Sequence, residues 1–525
     1  MTEKRSRFCK RILHIARMIF AAAVFFFCTA VFFTGLYIRL AYPNEKLEEL
    51  LFYLSTGAGE GDLGPVIRGV LILLPGALLL TALLFGTLFY RGRRKRRVRP
   101  QKRQGRKFPL AARRITAAFV SLALLLSGFG LVGGFSYLFS LINPSDFLED
   151  HYTVPRGAVT APEKMRNLIV IELESMETTL FSREEDGIRP QTVIPELYAL
   201  LELPDAISFS TGRGRRGTAE VYGSTWTTAA IVAYTSGLPF KVPSDLKNSY
   251  HSDHFMQGAY TLGDVLADFG YDNTVLSGSA VSFGGVGDYF SAHGAYDVID
   301  RDSFEAHGFE VPESQRNKWG FSDEVTFRMA RRIVEEKSAG NRPFHLFIST
   351  IDTHFTGYTY PADPAAGYRG TVGSYSEKLN NVYATTSREV GSFIDWLRKQ
   401  PCYENTAVVL FGDHLNMTDG FCTDAEEVLR GRYEVFLNSS VRTERQKGRV
   451  FTALDFYPTV LAAAGFTVRG DRLALGVNLF SAENTLAEQT GLDRMNGQLA
   501  MRSRFYEDEI LGDDAAMLRK RSNGS

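Results

Sequence analysis

Cysteine is scarce in this chain, four residues in 525, with no CxxC pair and no Cys/His cluster. That excludes a structural zinc module, which needs closely spaced sulfur and nitrogen ligands. Cys9 and Cys28 lie in or beside an apolar stretch and read as small hydrophobes. Cys402 and Cys422 fall in the mixed-composition part and would pair only in an oxidising compartment. Net charge is lacking too. Lys+Arg and Asp+Glu are equal at 59 each, so no excess of cations argues for nucleic acid as a partner. Internal repeats are absent, and the one low-complexity tract is a basic run.

What is present is unevenly distributed. Three apolar stretches, Ile19–Ile38, Gly69–Tyr90 and Ile115–Phe139, carry no internal charge and match the roughly 20 residues of helix that a bilayer requires. Arg17, Arg39 and Arg68 stand just beyond their ends. The first stretch lacks a small-residue cleavage site and reads as an anchor rather than a signal peptide. Orientation follows the basic residues. Lys4, Arg5, Arg7, Lys10 and Arg11 precede the first stretch, and RGRRKRRVRPQKRQGRK (91–107) separates the second from the third. The first connection is instead acidic, with Glu45, Glu48, Glu49, Glu60 and Asp62. These patterns predict a three-span anchor over 1–145, with the basic loop at 91–114 in the cytoplasm. Everything after about residue 145 then lies on the extracytoplasmic side of a plasma (inner) membrane. A linker is expected at 146–162, a catalytic domain over 163–490 and a C-terminal extension over 491–525.

Beyond the linker, near-continuous apolar runs alternate with helical patterns. NLIVIELES (167–175), YDNTVLSG (271–278), FHLFISTID (344–352) and TAVVLFGDH (406–414) read as buried strands. TLGDVLADFG (261–270), SDEVTFRMARRIVEEKSAG (322–340) and YATTSREVGSFIDWLRKQ (383–400) read as helices. Such alternation indicates an α/β domain with a mostly parallel central sheet between helices. Ligands gather beyond the carboxyl ends of the strands in sheets of this kind. Three of the runs end in ligand-capable residues: Glu174, then Asp352 and His354, then Asp413 and His414.

Asp413 and His414, adjacent after a strand, offer a hard oxygen and a borderline nitrogen to one divalent ion. A local turn is the structural alternative. Glu174 closes its strand; Glu172 lies on the same face of an ideal strand but deeper, where ionisation is costly without a partner. In STWTTAAIVAYTSGLPF (224–240), hydroxyl residues precede a small-residue helix that ends at Gly237 and Pro239. Thr227 or Thr228 would stand at the helix start, where free N–H groups and the dipole favour a phosphate. A metal-activated hydroxyl there is a nucleophile for phosphorus; the alternative is a plain N-cap by Thr225 or Thr227. His354 is placed to bind a phosphate oxygen or move a proton.

Together, NLIVIELES, TWTTAAIVAYTSGLP, STIDTHFTGY and VVLFGDHLNM resemble the branch of the alkaline phosphatase/sulfatase superfamily that contains lipoteichoic acid synthases and phosphoglycerol transferase I. FGGVGDYFSAHGAYD (283–297), KWGFSDEV (318–325) and ALDFYPTVLAAAGF (453–466) extend the match, which spans about 167–480. The resemblance implies an alkaline-phosphatase-like (sulfatase-like) α/β domain behind an α-helical transmembrane region. It implies a metal site from Glu174, Thr227, Asp413 and His414, with Thr227 as nucleophile, Thr225 as fallback and His354 as the substrate-binding histidine. Manganese is the ion it implies, with magnesium, calcium or zinc as alternatives. The implied reaction moves phosphoglycerol from phosphatidylglycerol to an envelope glycan or glycerophosphate acceptor through a phospho-threonine intermediate. Phosphoethanolamine transfer, or a phosphodiesterase or sulfatase-like hydrolysis, are the alternatives. Lipoteichoic acid synthases carry Trp and Arg in the stretch aligned with Ser282–Gly285, where this chain has Gly284 and Gly285, so the headgroup contacts are expected to differ.

Overall fold

The computed structural model describes residues 2–41, 69, 73–83, 110–211, 214–241, 255–312, 315–316, 319–354, 375–418, 421–422 and 430–512. They divide into two units, Met1–Ile142 and Asn143–Ser525.

In the first unit, one helix runs from Thr2 to Ala41, and its segment Ile15–Leu40 is long and apolar enough to cross a membrane. A second helix, Leu110–Leu131, packs against it. Backbones approach closely where two glycines meet: a Cβ at Gly35 would fall 2.5 Å from the Gly128 carbonyl oxygen. Small residues at such crossings let helices associate where no water drives them together. The expected three spans are described only in part. The third stretch breaks at Gly133, which has φ 75°, and continues as Gly134–Ile142 bent by 76°. A glycine pair supplies the left-handed backbone and weakens the helix at that point. Of the second stretch, the described helix is Leu73–Leu83, shorter than a span requires. Among the described residues, one helix is long and apolar enough to cross, or two if the bent pair is one span. The acidic first connection and the basic run 91–107 lie outside the described residues.

The second unit is built on a six-stranded sheet of order β4-β3-β5-β2-β6-β7. After a short β1 (Val159–Thr160), its strands are β2 (Asn167–Leu173), β3 (Asp272–Ser277), β4 (Asp297–Ile299), β5 (Phe344–Ser349), β6 (Thr406–Gly412) and β7 (Glu434–Leu437). The four apolar runs form β2, β3, β5 and β6, and all are parallel. β7 pairs antiparallel with β6 at the edge. Register aligns Glu172 with Ser349 and Phe411, so β2, β5 and β6 finish side by side.

Each face of the sheet is buried. Ile169, Ile171, Leu173, Leu346, Ile348, Val408 and Leu410 belong to a core shared with the helices Asp323–Ser338 and Tyr375–Leu397. Full burial of one such side chain stabilises by about 1.5–3 kcal/mol. On the opposite face, Phe347 meets Phe290, and Phe411 stacks on Tyr234 with centroids 3.8 Å apart. Tyr234 belongs to the helix Thr227–Ser236, every residue of which after Thr227 is buried. Residues 146–162, expected as a linker, instead hold a helix, Phe147–His151, and β1, whose Val159 pairs with Val468 of a short strand β8 (Thr467–Val468). Their apolar residues Phe147, Leu148 and Ala158 are buried, which a free linker would not achieve. Cys402 and Cys422 are free thiols.

Candidate active site and metal centre

Beyond the ends of β2 and β6, the chain turns sharply and presents Glu174, Asp413 and His414, all buried. Their ligand atoms lie within 4.8 Å of one another. His414 Nε2 is 3.4 Å from Glu174 Oε1 and 3.2 Å from Asp413 Oδ2. The other ring nitrogen, Nδ1, lies 2.9 Å from the Leu415 carbonyl oxygen. A carbonyl only accepts, so Nδ1 carries the hydrogen and Nε2 is the atom available for a ligand. No hydrogen bond reaches the buried Asp413 Oδ2. An orphaned carboxylate oxygen costs free energy, and a cation at this point would satisfy it.

The turn after β2 is itself strained. Ser175 has φ 54°, a left-handed conformation that a residue with a Cβ adopts at a cost of about 1 kcal/mol or more. It is held there from both sides. Its N–H donates to Asp413 Oδ1 at 2.7 Å, its hydroxyl donates to Glu174 Oε1 at 2.7 Å, and its carbonyl accepts from the Tyr383 hydroxyl at 3.0 Å. β5 contributes as well. Thr350 Oγ1 accepts from the Glu174 N–H at 2.9 Å, and Thr353 donates to the Glu174 carbonyl at 2.6 Å.

Thr227 opens its helix, following Trp226 in extended backbone with no side-chain cap. Its hydroxyl donates to Glu174 Oε2 at 3.2 Å. Thr227 is half-buried, whereas Thr228 is buried and donates to the Gly284 carbonyl at 2.9 Å. Of Thr227 and Thr228, Thr227 is thus the one whose hydroxyl meets a carboxylate of the cluster while keeping an open side. The helix ends at Gly237 with φ 67°, and Tyr234 donates to the Gly412 carbonyl at 3.0 Å, one residue before Asp413. The helix start is thereby set against the end of β6.

The electrostatics call for positive charge. Glu174 is pushed up to about 7 by burial and by the neighbouring Asp413 charge. Glu172 is pushed well above the usual carboxylate range, by burial first and then by Asp413 and Glu174. It accepts from the Ser349 hydroxyl. Burial would lower His414, but the Asp413 and Glu174 charges outweigh it and raise the imidazole above its ordinary value. A divalent cation would relieve the repulsion that drives these shifts, so the donor set fits such an ion.

The structure therefore brings Glu174, Thr227, Asp413 and His414 together. His354 sits on the turn after β5 next to Thr353, and its ring packs on Trp319 with centroids 4.6 Å apart. Sequence reasoning passed over Ser175, Thr350 and Arg432, which, like Thr353, donate to or accept from these residues. The run STIDTH held a signal, since hydroxyls beyond a buried strand have few roles other than bonding a neighbouring turn.

A family model described as Sulfatase matches residues 166–466, more than half of the chain. The chain belongs to the sulfatase family. Phosphoglycerol transferase I of Xanthomonas euvesicatoria pv. vesicatoria is 27% identical over 474 residues, covering 89% of this chain and 62% of that protein. Phosphoglycerol transferase I of an Escherichia coli O6:K15:H31 strain is 29% identical over 264 residues, covering 50% of this chain and 32% of that protein. The chain thus spans less than two thirds of the length of these relatives. Among solved structures, the integral membrane protein lipooligosaccharide phosphoethanolamine transferase A from Neisseria meningitidis overlays with a TM-score of 0.50 at 15% identity. That overlay covers 93% of this chain and 87% of that one. At that identity the likeness is one of fold.

Proposed function

We propose that this protein is a membrane-anchored transferase that moves phosphoglycerol from phosphatidylglycerol to an envelope glycan or glycerophosphate acceptor. One observation carries the reading: the Thr227 hydroxyl, at a helix start, donates to Glu174 of a buried Glu–Asp–His cluster. The similarity to phosphoglycerol transferases supports the choice of headgroup. Glu174, Asp413, His414 and Thr227 would hold one divalent cation, manganese for preference over magnesium, calcium or zinc, supplying Lewis acidity that lowers the hydroxyl pKa and offsets phosphoryl charge.

Thr227 Oγ1 attacks the phosphorus of phosphatidylglycerol. The bond from phosphorus to the diacylglycerol oxygen breaks, and that oxygen leaves with a proton. Phosphoglycerol is then esterified to Thr227, at a helix N-terminus whose N–H groups favour the anionic group. An acceptor hydroxyl attacks the same phosphorus, the threonine ester bond breaks, and Thr227 regains its proton. His354 binds the phosphoryl oxygens and moves the proton at the leaving or attacking oxygen. The donor and the diacylglycerol product are both lipids, which gives the apolar N-terminal segments their purpose. In this reading they form a multi-pass anchor in the plasma membrane, with the catalytic unit on the extracytoplasmic side.

The test incubates the full chain with Mn2+ and vesicles of phosphatidylglycerol or of phosphatidylethanolamine, followed by peptide mass spectrometry. A phosphoglycerol adduct is expected on the Thr227 peptide, absent in Thr227→Ala and retained in Thr225→Ala. A phosphoethanolamine adduct would transfer the assignment to the other headgroup. If Thr227→Ala kept the adduct and Thr225→Ala lost it, the nucleophile would be Thr225.

A further inference from the structure

Two arginines flank a glycine at residues 430–432, and nothing so far gives them a role. Arg432 is fully buried. Its four hydrogen bonds all end on neutral oxygens. Nη1 donates to the carbonyls of Ser224 (3.0 Å) and Asp413, and Nη2 donates to the carbonyl of Ala219 and the hydroxyl of Ser224, both at 3.0 Å. The guanidinium also lies 5.5 Å from the centre of the Tyr234 ring. Burying a cation against carbonyls is costly, so its position needs a reason beyond filling space. Ser224 stands three residues before Thr227, Asp413 is a cluster member, and Tyr234 is on the helix that Thr227 opens. Nη1 therefore ties the segment that delivers the hydroxyl to the turn that delivers the carboxylate, and Nη2 fixes the guanidinium on that same segment.

The backbone of the same segment makes the third connection. Arg432 exchanges hydrogen bonds with Thr218, at 2.9 and 3.1 Å, while Gly431 and Tyr433 bond to Thr178 and Met176, just after Glu174. Gly431 is where the chains pass too closely for a side chain: its Cβ would lie 2.8 Å from the Gly217 nitrogen. Arg430 adds a bidentate pair to buried Glu177, at 2.9 and 2.7 Å, and donates to the Asn416 carbonyl at 2.9 Å. Asn416 is two residues past His414.

We propose that Arg432, assisted by Arg430, is a positioning residue that sets the spacing of Thr227 from Glu174, Asp413 and His414, and so controls cation affinity and attack by Thr227. This rests on the phosphoglycerol-transfer reading for its rate effect but not for its effect on cation binding. Lysine retains the charge but, as a single ammonium, cannot set one nitrogen between the Ser224 and Asp413 carbonyls and a second between the Ala219 carbonyl and the Ser224 hydroxyl.

The experiment compares full-length wild type, Arg432→Lys and Ser224→Ala in lipid nanodiscs. It measures Mn2+ affinity by calorimetry, melting temperature, and the rate of Thr227 adduct formation at saturating Mn2+ with its dependence on phosphatidylglycerol. Arg432→Lys is expected to weaken Mn2+ binding by about 10- to 100-fold, the scale of outer-shell changes at metal sites. It should also slow adduct formation at saturating lipid, with half-saturation little changed. Wild-type affinity and adduct rate in folded Arg432→Lys, whatever its melting temperature, would overturn the proposal. If Arg432→Lys does not fold, Ser224→Ala decides. Removing one hydroxyl partner should weaken Mn2+ binding about threefold or more in protein that still folds, and unchanged affinity overturns it. A wild type that binds Mn2+ but forms no adduct would sink the transfer reading and leave the affinity comparison standing.

Discussion

Glu174, Asp413 and His414 form one acidic cluster beyond the strand ends, and Asp323, Asp352 and Glu389 form a second. In both, the ligand atoms lie within 4.8 Å of one another. The partners differ. Asp323 is saturated from within: Oδ1 accepts from the Ile351 N–H at 2.8 Å, and Oδ2 from the Thr386 hydroxyl at 2.9 Å. Asp352 Oδ2 in return accepts from the Asp323 N–H at 3.0 Å. Glu389 is pushed up to about 9, by burial and then by the charges of Asp323, Asp352 and Glu324, with Arg388 opposing. Its proton answers the crowding. Each cluster keeps one buried carboxylate oxygen without a hydrogen bond, Asp413 Oδ2 and Glu389 Oε2, but in the first an imidazole nitrogen and a half-buried hydroxyl converge as well. Proximity of carboxyl groups is common to both; what separates them is the imidazole nitrogen and the half-buried Thr227 hydroxyl that join the first.

The largest expected effect breaks the first cluster and spares the second. Asp413→Ala removes a cluster member and should abolish measurable Mn2+ binding, a loss beyond the roughly 10- to 100-fold of an outer-shell change. Activity should fall with it, by at least about 10^3-fold as for loss of an essential catalytic group. Glu389→Gln should leave Mn2+ affinity unchanged. If Glu389→Gln weakened binding as Asp413→Ala does, the two clusters would not differ as their donor sets indicate.

A smaller effect sharpens the comparison through pH. Glu174 titrates at about 7 and His414 above its ordinary value in the cation-free protein. Both must be deprotonated to bind a cation, so the cation displaces protons. Affinity should therefore rise with pH through neutrality, by up to about tenfold per unit for each proton displaced, and level off above the two values. Calorimetry in buffers of different ionisation enthalpy would count the protons released. A flat affinity from about pH 6 to 8 would contradict the electrostatics of the site.

Much of this was legible in the residues, and the remainder has physical reasons. The strands β2, β3, β5 and β6 are buried on both faces, and that burial writes itself as continuous apolar runs. The convergence of Glu174 with Asp413–His414 followed from strand ends in a parallel sheet. β7 was not seen because four residues beginning with a glutamate carry too little pattern, and Glu434 is buried there by accepting from the Ser208 hydroxyl, 3.2 Å away, a tertiary contact. The third apolar stretch has the composition of one span, but composition does not register that Gly133 takes φ 75°. Nothing in the sequence singles out Arg432. Its role depends on the carbonyls of Ala219, Ser224 and Asp413, which carry no sequence signature.

The smallest effect concerns stability and belongs to the second cluster alone. The Glu389 carboxyl is raised from an ordinary 4.5 to about 9 in the folded protein. A raised carboxyl contributes stability fully below its unfolded value and loses it as pH climbs through the folded one. The native state therefore gives up at most about 1.4 kcal/mol per pH unit between those limits through this group. Glutamine keeps the shape and an N–H donor but does not titrate, so Glu389→Gln removes that slope. Its melting temperature should exceed wild type by a few degrees near pH 8 and lose that advantage near pH 5. Cation-free full-length protein, melted at both pH values, isolates the effect from the metal site. Equal melting of the two proteins at both pH values would mean that Glu389 meets enough solvent to ionise freely, and the second cluster would then hold charge as the first does.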